Sequence, residues 1–142
     1  MHPAMQQWRE SEPVAPGTRI LLVEDDPRVR AATLGALEDL GYDPVAVSSG
    51  EEAMSMFDMQ DFDLVISDVV MPGITGPELV RELKRRRPSP AILFVTGYVG
   101  ENEGEDMVGY ELLRKPFTVS ALANAVTSAL NRERQEPRRA AG

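Results

Sequence analysis

The sequence predicts an α/β fold in which helices cover both faces of a doubly wound, five-stranded parallel sheet. Three observations predict it. Five short apolar runs recur along the chain, the runs are continuous instead of alternating, and helix-start signals lie between them. Strands covered on both faces read as continuous apolar runs, and a strand–helix alternation winds into a parallel sheet.

The first strand is Ile20-Leu21-Leu22-Val23. Asp26 and Pro27 follow it, an acid able to cap a helix and a proline suited to the first helical position. Gly41, just after Leu40, is a stop signal for that helix. Val45-Ala46-Val47 forms the second strand, and Ser49 before Gly50-Glu51-Glu52 opens the second helix. Leu64-Val65-Ile66 is the third strand, with Gly76-Pro77-Glu78 opening the helix after it. The fourth strand is Ala91-Ile92-Leu93-Phe94-Val95.

From Tyr98 to Tyr110 the chain carries Gly100, Gly104 and Gly109 and the acids Glu101, Glu103, Glu105 and Asp106. Glycine costs about 1 kcal/mol per site in a helix, so the fourth helix is expected to be short or mobile. Leu112-Leu113 is the fifth strand, and Thr118 before Val119 and Ser120 opens the last helix. Residues 1–17 and 132–142 are rich in Gln, Glu, Arg and Pro, and read as tails or linkers around a domain at 18–131.

Composition narrows the chemistry. With no cysteine there is no disulfide, thiolate metal site or thiol nucleophile, and a single histidine at position 2 leaves no histidine catalysis inside the fold. Oxygen ligands and lysine must carry whatever chemistry there is. The formal net charge of −8 opposes nucleic-acid binding as a main task and suits a partner with a basic or apolar docking face. No segment is apolar enough for a membrane span, and the first residues lack the apolar stretch of a secretory signal, so a cytoplasmic location is expected.

In an open parallel sheet, ligands bind beyond the carboxyl ends of the strands. Here the first run ends in Glu24-Asp25-Asp26, the third in Ser67-Asp68, the fourth in Thr96-Gly97 and the fifth in Arg114-Lys115-Pro116. Carboxylates brought together repel unless a cation neutralises them, and an oxygen-only set favours a hard ion, Mg²⁺ or Mn²⁺ in its place. Mg²⁺ invites phosphate. A phosphoryl group on Asp68 would have its oxygens held by the metal, Lys115, the Thr96 hydroxyl and backbone N–H groups. Read singly, Asp26 is a helix cap, Thr96 a turn former, and Arg114 and Lys115 solvated loop residues. The coincidence of four strand ends carries the argument.

These residues resemble the receiver domains of bacterial response regulators and hybrid histidine kinases. The likeness runs from about Thr18 to Leu130 and rests on Ile-Leu-Leu-Val-Glu-Asp-Asp-Pro at 20–27, Asp-Leu-Val-Ile-Ser-Asp-Val-Val-Met-Pro-Gly at 63–73, Phe-Val-Thr-Gly-Tyr at 94–98 and Leu-Arg-Lys-Pro-Phe at 113–117. It implies a flavodoxin-like (βα)5 fold with Asp68 as phosphoacceptor. Asp25, Asp68 and the backbone carbonyl of Val70 would bind Mg²⁺ directly, and Glu24 through a water. Thr96 and Lys115 would hold the phosphoryl group, with a cis peptide before Pro116, and Pro72 and Gly76 would shape the turn after Asp68. The implied donor is a histidine kinase or histidine phosphotransfer protein. The implied chemistry is phosphoryl transfer onto the chain itself and its later hydrolysis, not turnover of a separate substrate. Val70 and Tyr98 occupy positions that tune hydrolysis, where an apolar residue and a bulky ring would hinder the attacking water.

Two features depart from the usual pattern. Receivers carry Tyr or Phe three residues before the lysine, and Leu112 stands there instead. Gly97 replaces a small residue with a Cβ after the threonine. The segment 97–110 resembles the subgroup with a Phe-Ala-Thr-Gly-Tyr-like motif, so phosphorylation is expected to order that segment instead of rotating an aromatic ring. With the usual dimer face altered, a monomer is expected. Two rival classes are an aspartyl-phosphate phosphohydrolase of the haloacid dehalogenase type, which needs an acid where Val70 stands, and an unphosphorylated interaction scaffold on the same fold. The chain reads equally as a single-domain regulator or as the receiver of a hybrid kinase.

Overall fold

The computed structural model describes residues 17–97 and 107–135. Five strands, β1 (Arg19–Val23), β2 (Asp43–Val47), β3 (Leu64–Asp68), β4 (Ala91–Thr96) and β5 (Glu111–Arg114), form one sheet in the order β2-β1-β3-β4-β5. Every neighbouring pair is parallel. Among the described residues there are four helices: α1 (Pro27–Asp39), α2 (Gly50–Met59), α3 (Gly76–Arg86) and α4 (Val119–Gln135). The helix expected between β4 and β5 falls mostly on residues 98–106, outside the described ones, as do Tyr98 and most of both expected tails. The last helix continues past position 131 to Gln135.

The continuous apolar runs follow from two cores. Successive strand side chains point to opposite faces, so Ile20, Leu22, Leu64, Ile66, Leu93 and Val95 meet Leu37 of α1 and Leu122 and Val126 of α4. Leu21, Val23, Val65, Ile92 and Phe94 meet Ala53 and Phe57 of α2 and Leu79 and Leu83 of α3 on the other side. Full burial of each such side chain stabilises by about 1.5–3 kcal/mol, and a charge in either set would have no water to solvate it. This leaves the strand ends as the place for polar chemistry.

Local signals set the helix ends. The Asp26 side chain caps α1 through Arg28 N–H and Val29 N–H, and Ser49 caps α2 through Glu52 N–H. Gly41, at φ +95°, turns the chain after α1. α3 begins with a capping box in which Thr75 and Glu78 satisfy each other's backbone N–H groups. Its basic end is spent on structure. Arg86 pairs with Asp58 and Glu82, the Arg87 guanidinium lies 4.2 Å from the Phe57 ring centroid and also bonds the Phe57 and Gln60 carbonyls, and Lys84 donates to the carbonyls of Pro88 and Pro90. Arg114, expected in a loop, is the last residue of β5 and pairs with Thr96 in the ladder while its side chain stays exposed.

Two glycines give opposite expectations. A Cβ on Gly76 would be driven into the backbone carbonyl of Asp68, whereas one on Gly35, inside α1, would meet nothing within 4 Å. Gly76→Ala is expected to lower the unfolding free energy by about 1–3 kcal/mol through overpacking. Gly35→Ala is expected to raise it by about 0.5–1 kcal/mol. Urea unfolding of both variants checks the pair; a neutral Gly76→Ala would show that the turn after Asp68 can relax.

Candidate functional site

The strand order reverses between β1 and β3, and the crevice at their carboxyl ends is where an open sheet of this kind can admit a ligand. The hydrogen-bond ladder runs one step past three strand ends and fixes the rim. Glu24 N–H donates to the Val47 carbonyl at 3.1 Å, Val69 N–H to Val95 at 2.9 Å, and Lys115 N–H to Thr96 at 2.8 Å. Glu24, Asp68, Thr96 and Lys115 therefore leave from backbone held by the sheet, and Asp25 follows one residue beyond the ladder. The loop after Asp68 closes on itself where Gly76 N–H donates to the Val69 carbonyl at 2.8 Å.

Carboxylate oxygens of Glu24, Asp25 and Asp68 lie within 4.8 Å of one another. Glu24 and Asp68 are buried, and Asp25 is exposed. The Lys115 Nζ reaches from the far side of the crevice to Glu24 Oε1 at 2.9 Å and Asp68 Oδ2 at 3.2 Å. The second Glu24 oxygen accepts from Asp26 N–H at 3.1 Å. Thr96 is 2% exposed at the end of β4, and the peptide between Lys115 and Pro116 is cis.

Burial raises the pKa of Asp68 to about 6, and the Glu24 charge beside it pushes the same way, while Lys115 pulls down. For Lys115, burial pulls down, but its hydrogen bonds and charge contacts with Glu24 and Asp68 outweigh that and leave its pKa above the ordinary lysine value. The arrangement can hold a hard divalent cation on the open, Asp25 side, and it presents an ammonium and a carboxylate to the same small volume.

The structure brings together Glu24, Asp25, Asp68, Thr96 and Lys115 at one rim. Val70 lies two residues after Asp68 and is 62% exposed. Leu112 is in β5 opposite Phe94 and is 39% exposed. Three contributors were not legible as such. Ser67 donates its hydroxyl to the Asp68 carbonyl at 3.0 Å, Tyr110 packs edge-on against Phe94 with centroids 5.5 Å apart, and Arg30 reaches back to the Glu24 carbonyl. The only sequence signal for Arg30 is its place one turn into α1, from which a long side chain leans toward the helix N-terminus.

The sequence pattern of the response regulator receiver domain matches residues 20–127. The chain belongs to that family. It is 35% identical over 119 residues to the sensor kinase CckA of Brucella abortus, a match that takes in 80% of this chain and 13% of the kinase. To the response regulator receiver protein CpdR of the same organism it is 35% identical over 115 residues, covering 79% of this chain and 96% of CpdR. The crystal structure of the response regulator TrrA of Thermotoga maritima, in complex with Mg²⁺ and BeF, superposes with a TM-score of 0.72 at 31% identity, over 79% of this chain and 98% of TrrA. No described helix is long and apolar enough to cross a membrane.

A carboxyl group whose folded pKa lies above its unfolded one binds more protons in the folded state across the interval between the two. Stability then falls as pH rises through that interval, here from about pH 4 to about pH 6, and the penalty is constant above it. Without divalent cations, Asp68→Asn is therefore expected to gain stability relative to the wild type across this window. Urea unfolding in EDTA at both ends of the window checks it; an equal difference at both ends would count against a raised Asp68 pKa.

Proposed function

We propose that this receiver domain is a phosphoacceptor. Asp68 takes a phosphoryl group from the phosphohistidine of a histidine kinase or histidine phosphotransfer protein, with Mg²⁺ bound at Glu24, Asp25, Asp68 and the Val70 carbonyl. The observation that carries the reading is the convergence of three carboxylates within 4.8 Å, with the Lys115 ammonium bridging two of them.

An Asp68 oxygen attacks phosphorus in line as the P–N bond to the donor imidazole breaks, and the imidazole leaves with that electron pair. Bound Mg²⁺ would neutralise charge on the carboxylates and on a phosphoryl oxygen. Lys115 exchanges its Asp68 contact for a second phosphoryl oxygen, and the Thr96 hydroxyl donates to a third. Water attack on phosphorus later returns the carboxylate, with Val70 and Tyr98 tuning its access. A groove of about 390 Å³ beside Lys115, lined by Val29, Ala32, Pro116, Phe117 and Leu122, supports docking of a donor with an apolar face close to Asp68. Beyond its own phosphorylation and dephosphorylation, the domain turns over no substrate.

Intact mass after incubation with acetyl phosphate tests the assignment. The expected result is a Mg²⁺-dependent gain of one phosphoryl group that Asp68→Asn abolishes; a gain that survives the substitution would move the acceptor elsewhere.

The output is expected to run through 97–110. Support comes from Thr96, which leads into that segment, and from Phe94, which lies on the same strand face as Thr96 and carries Tyr110 against its ring. Phosphorylation is expected to slow hydrogen exchange in peptides spanning 97–110, and exchange that is identical in the two states would refute this output route.

A further inference from the structure

The loop from β1 to α1 carries two of the three clustered carboxylates, and its ends are fixed in different ways. Glu24 N–H is tied to β2, and Asp26 is tied to α1 as its cap. Between them, among the described residues, no hydrogen bond or ion pair holds the Asp25 carboxylate, so its position follows from its backbone.

Arg30 supplies that backbone's remaining contacts. Its Nη1 donates to the Glu24 carbonyl at 2.9 Å and lies 3.5 Å from the Asp25 carbonyl, while its own N–H donates to the Asp26 carbonyl at 2.8 Å. The guanidinium thus reaches two consecutive carbonyls of the loop, and the backbone N–H makes the first helical bond to the third. Glu52 of α2 feels the charge of the guanidinium. Glu52 accepts from the Ser48 N–H at 2.7 Å and the Ser48 hydroxyl at 3.0 Å, and these bonds together with the Arg30 charge hold its carboxyl below the usual range.

We propose that Arg30 is a positioning residue that fixes the Glu24-Asp25 backbone so that the carboxylates converge on a divalent cation. The inference rests on the reading of Glu24, Asp25 and Asp68 as a cation site. The sign of its effect separates positioning from simple electrostatics. A guanidinium acting only as a charge this close to the cluster would oppose a second cation, and its removal would tighten Mg²⁺ binding. A guanidinium that shapes the loop would weaken binding when removed, as loss of outer-shell partners does.

The experiment is a calorimetric titration of the full chain with MgCl₂, comparing wild type, Arg30→Met and Arg30→Lys. Thermal unfolding in EDTA confirms that each variant is folded. Arg30→Met is expected to weaken Mg²⁺ binding about tenfold, the lower end of outer-shell losses. Arg30→Lys, which keeps the charge and one donor, is expected to recover part of that loss. Should Arg30→Met not unfold cooperatively, Arg30→Gln against Arg30→Lys gives the same comparison. Binding by Arg30→Met as tight as wild type, or tighter, overturns the positioning role while leaving the cation site standing. A wild type with no saturable Mg²⁺ binding overturns the cation site and the role of Arg30 with it.

Discussion

Mutual repulsion among Glu24, Asp25 and Asp68 is the constraint around which this molecule is arranged. Two unit charges 4.8 Å apart repel by roughly 3–4 kcal/mol at an effective dielectric near 20, and by less where one of them is exposed, as Asp25 is. A flexible chain would relieve that repulsion by moving apart. Here Glu24 and Asp68 leave from backbone that the sheet ladder holds on both sides of the β1/β3 switch point, and Asp25 directly follows Glu24, so relief must come from charge. Lys115 provides part of it by touching Glu24 and Asp68 together, and the raised pKa of Asp68 shows that one ammonium does not balance the burial and the neighbouring charge.

The two cores are what allow the sheet to bear this load. β1 and β3 lie in the interior of the sheet, with Leu21, Leu22, Val65 and Ile66 all buried between helix layers. Moving either strand end would disturb both cores at once. The same reasoning explains Gly76: the loop after Asp68 folds back so closely that its helix starts against the Asp68 carbonyl, and a side chain there would push on the strand that carries Asp68.

Most of this arrangement was legible in the sequence because it follows from local rules. Continuous apolar runs marked all five strands, and Asp26, Ser49 and Gly41 marked helix ends through capping and positive φ. The polar residues directly after those runs then marked the rim, since a parallel sheet sends every strand's carboxyl end the same way. What stayed hidden depends on distances that only tertiary packing creates. Arg87 over the Phe57 ring joins residues of α2 to the chain after α3, and Tyr110 against Phe94 joins the approach to β5 with β4. Nothing in the local pattern distinguishes either residue from an ordinary surface side chain. Arg114 was misread because a charged residue beside Lys115 and Pro116 looks like loop, whereas an edge strand tolerates an exposed arginine on its open side.

The edge at β5 also shows how one missing aromatic changes the mechanics around the site. At Leu112 an aliphatic side chain, more than a third exposed, has neither a flat face nor a hydroxyl with which to follow a movement of Thr96. Aromatic contact is present nearby, but it lies elsewhere: Tyr110 meets Phe94 at an interplanar angle of 81°, an edge-to-face geometry worth about 0.5–1.5 kcal/mol beyond burial. Phe94 and Thr96 stand two apart on one strand and share a face, so a shift of β4 that moves the threonine also moves the ring under Tyr110. The aromatic mass is therefore coupled to the backbone entering β5, not to the middle of that strand. On the proposed output route, a small displacement at the rim would therefore reach Tyr110 through a packed ring pair instead of through the swing of a single side chain.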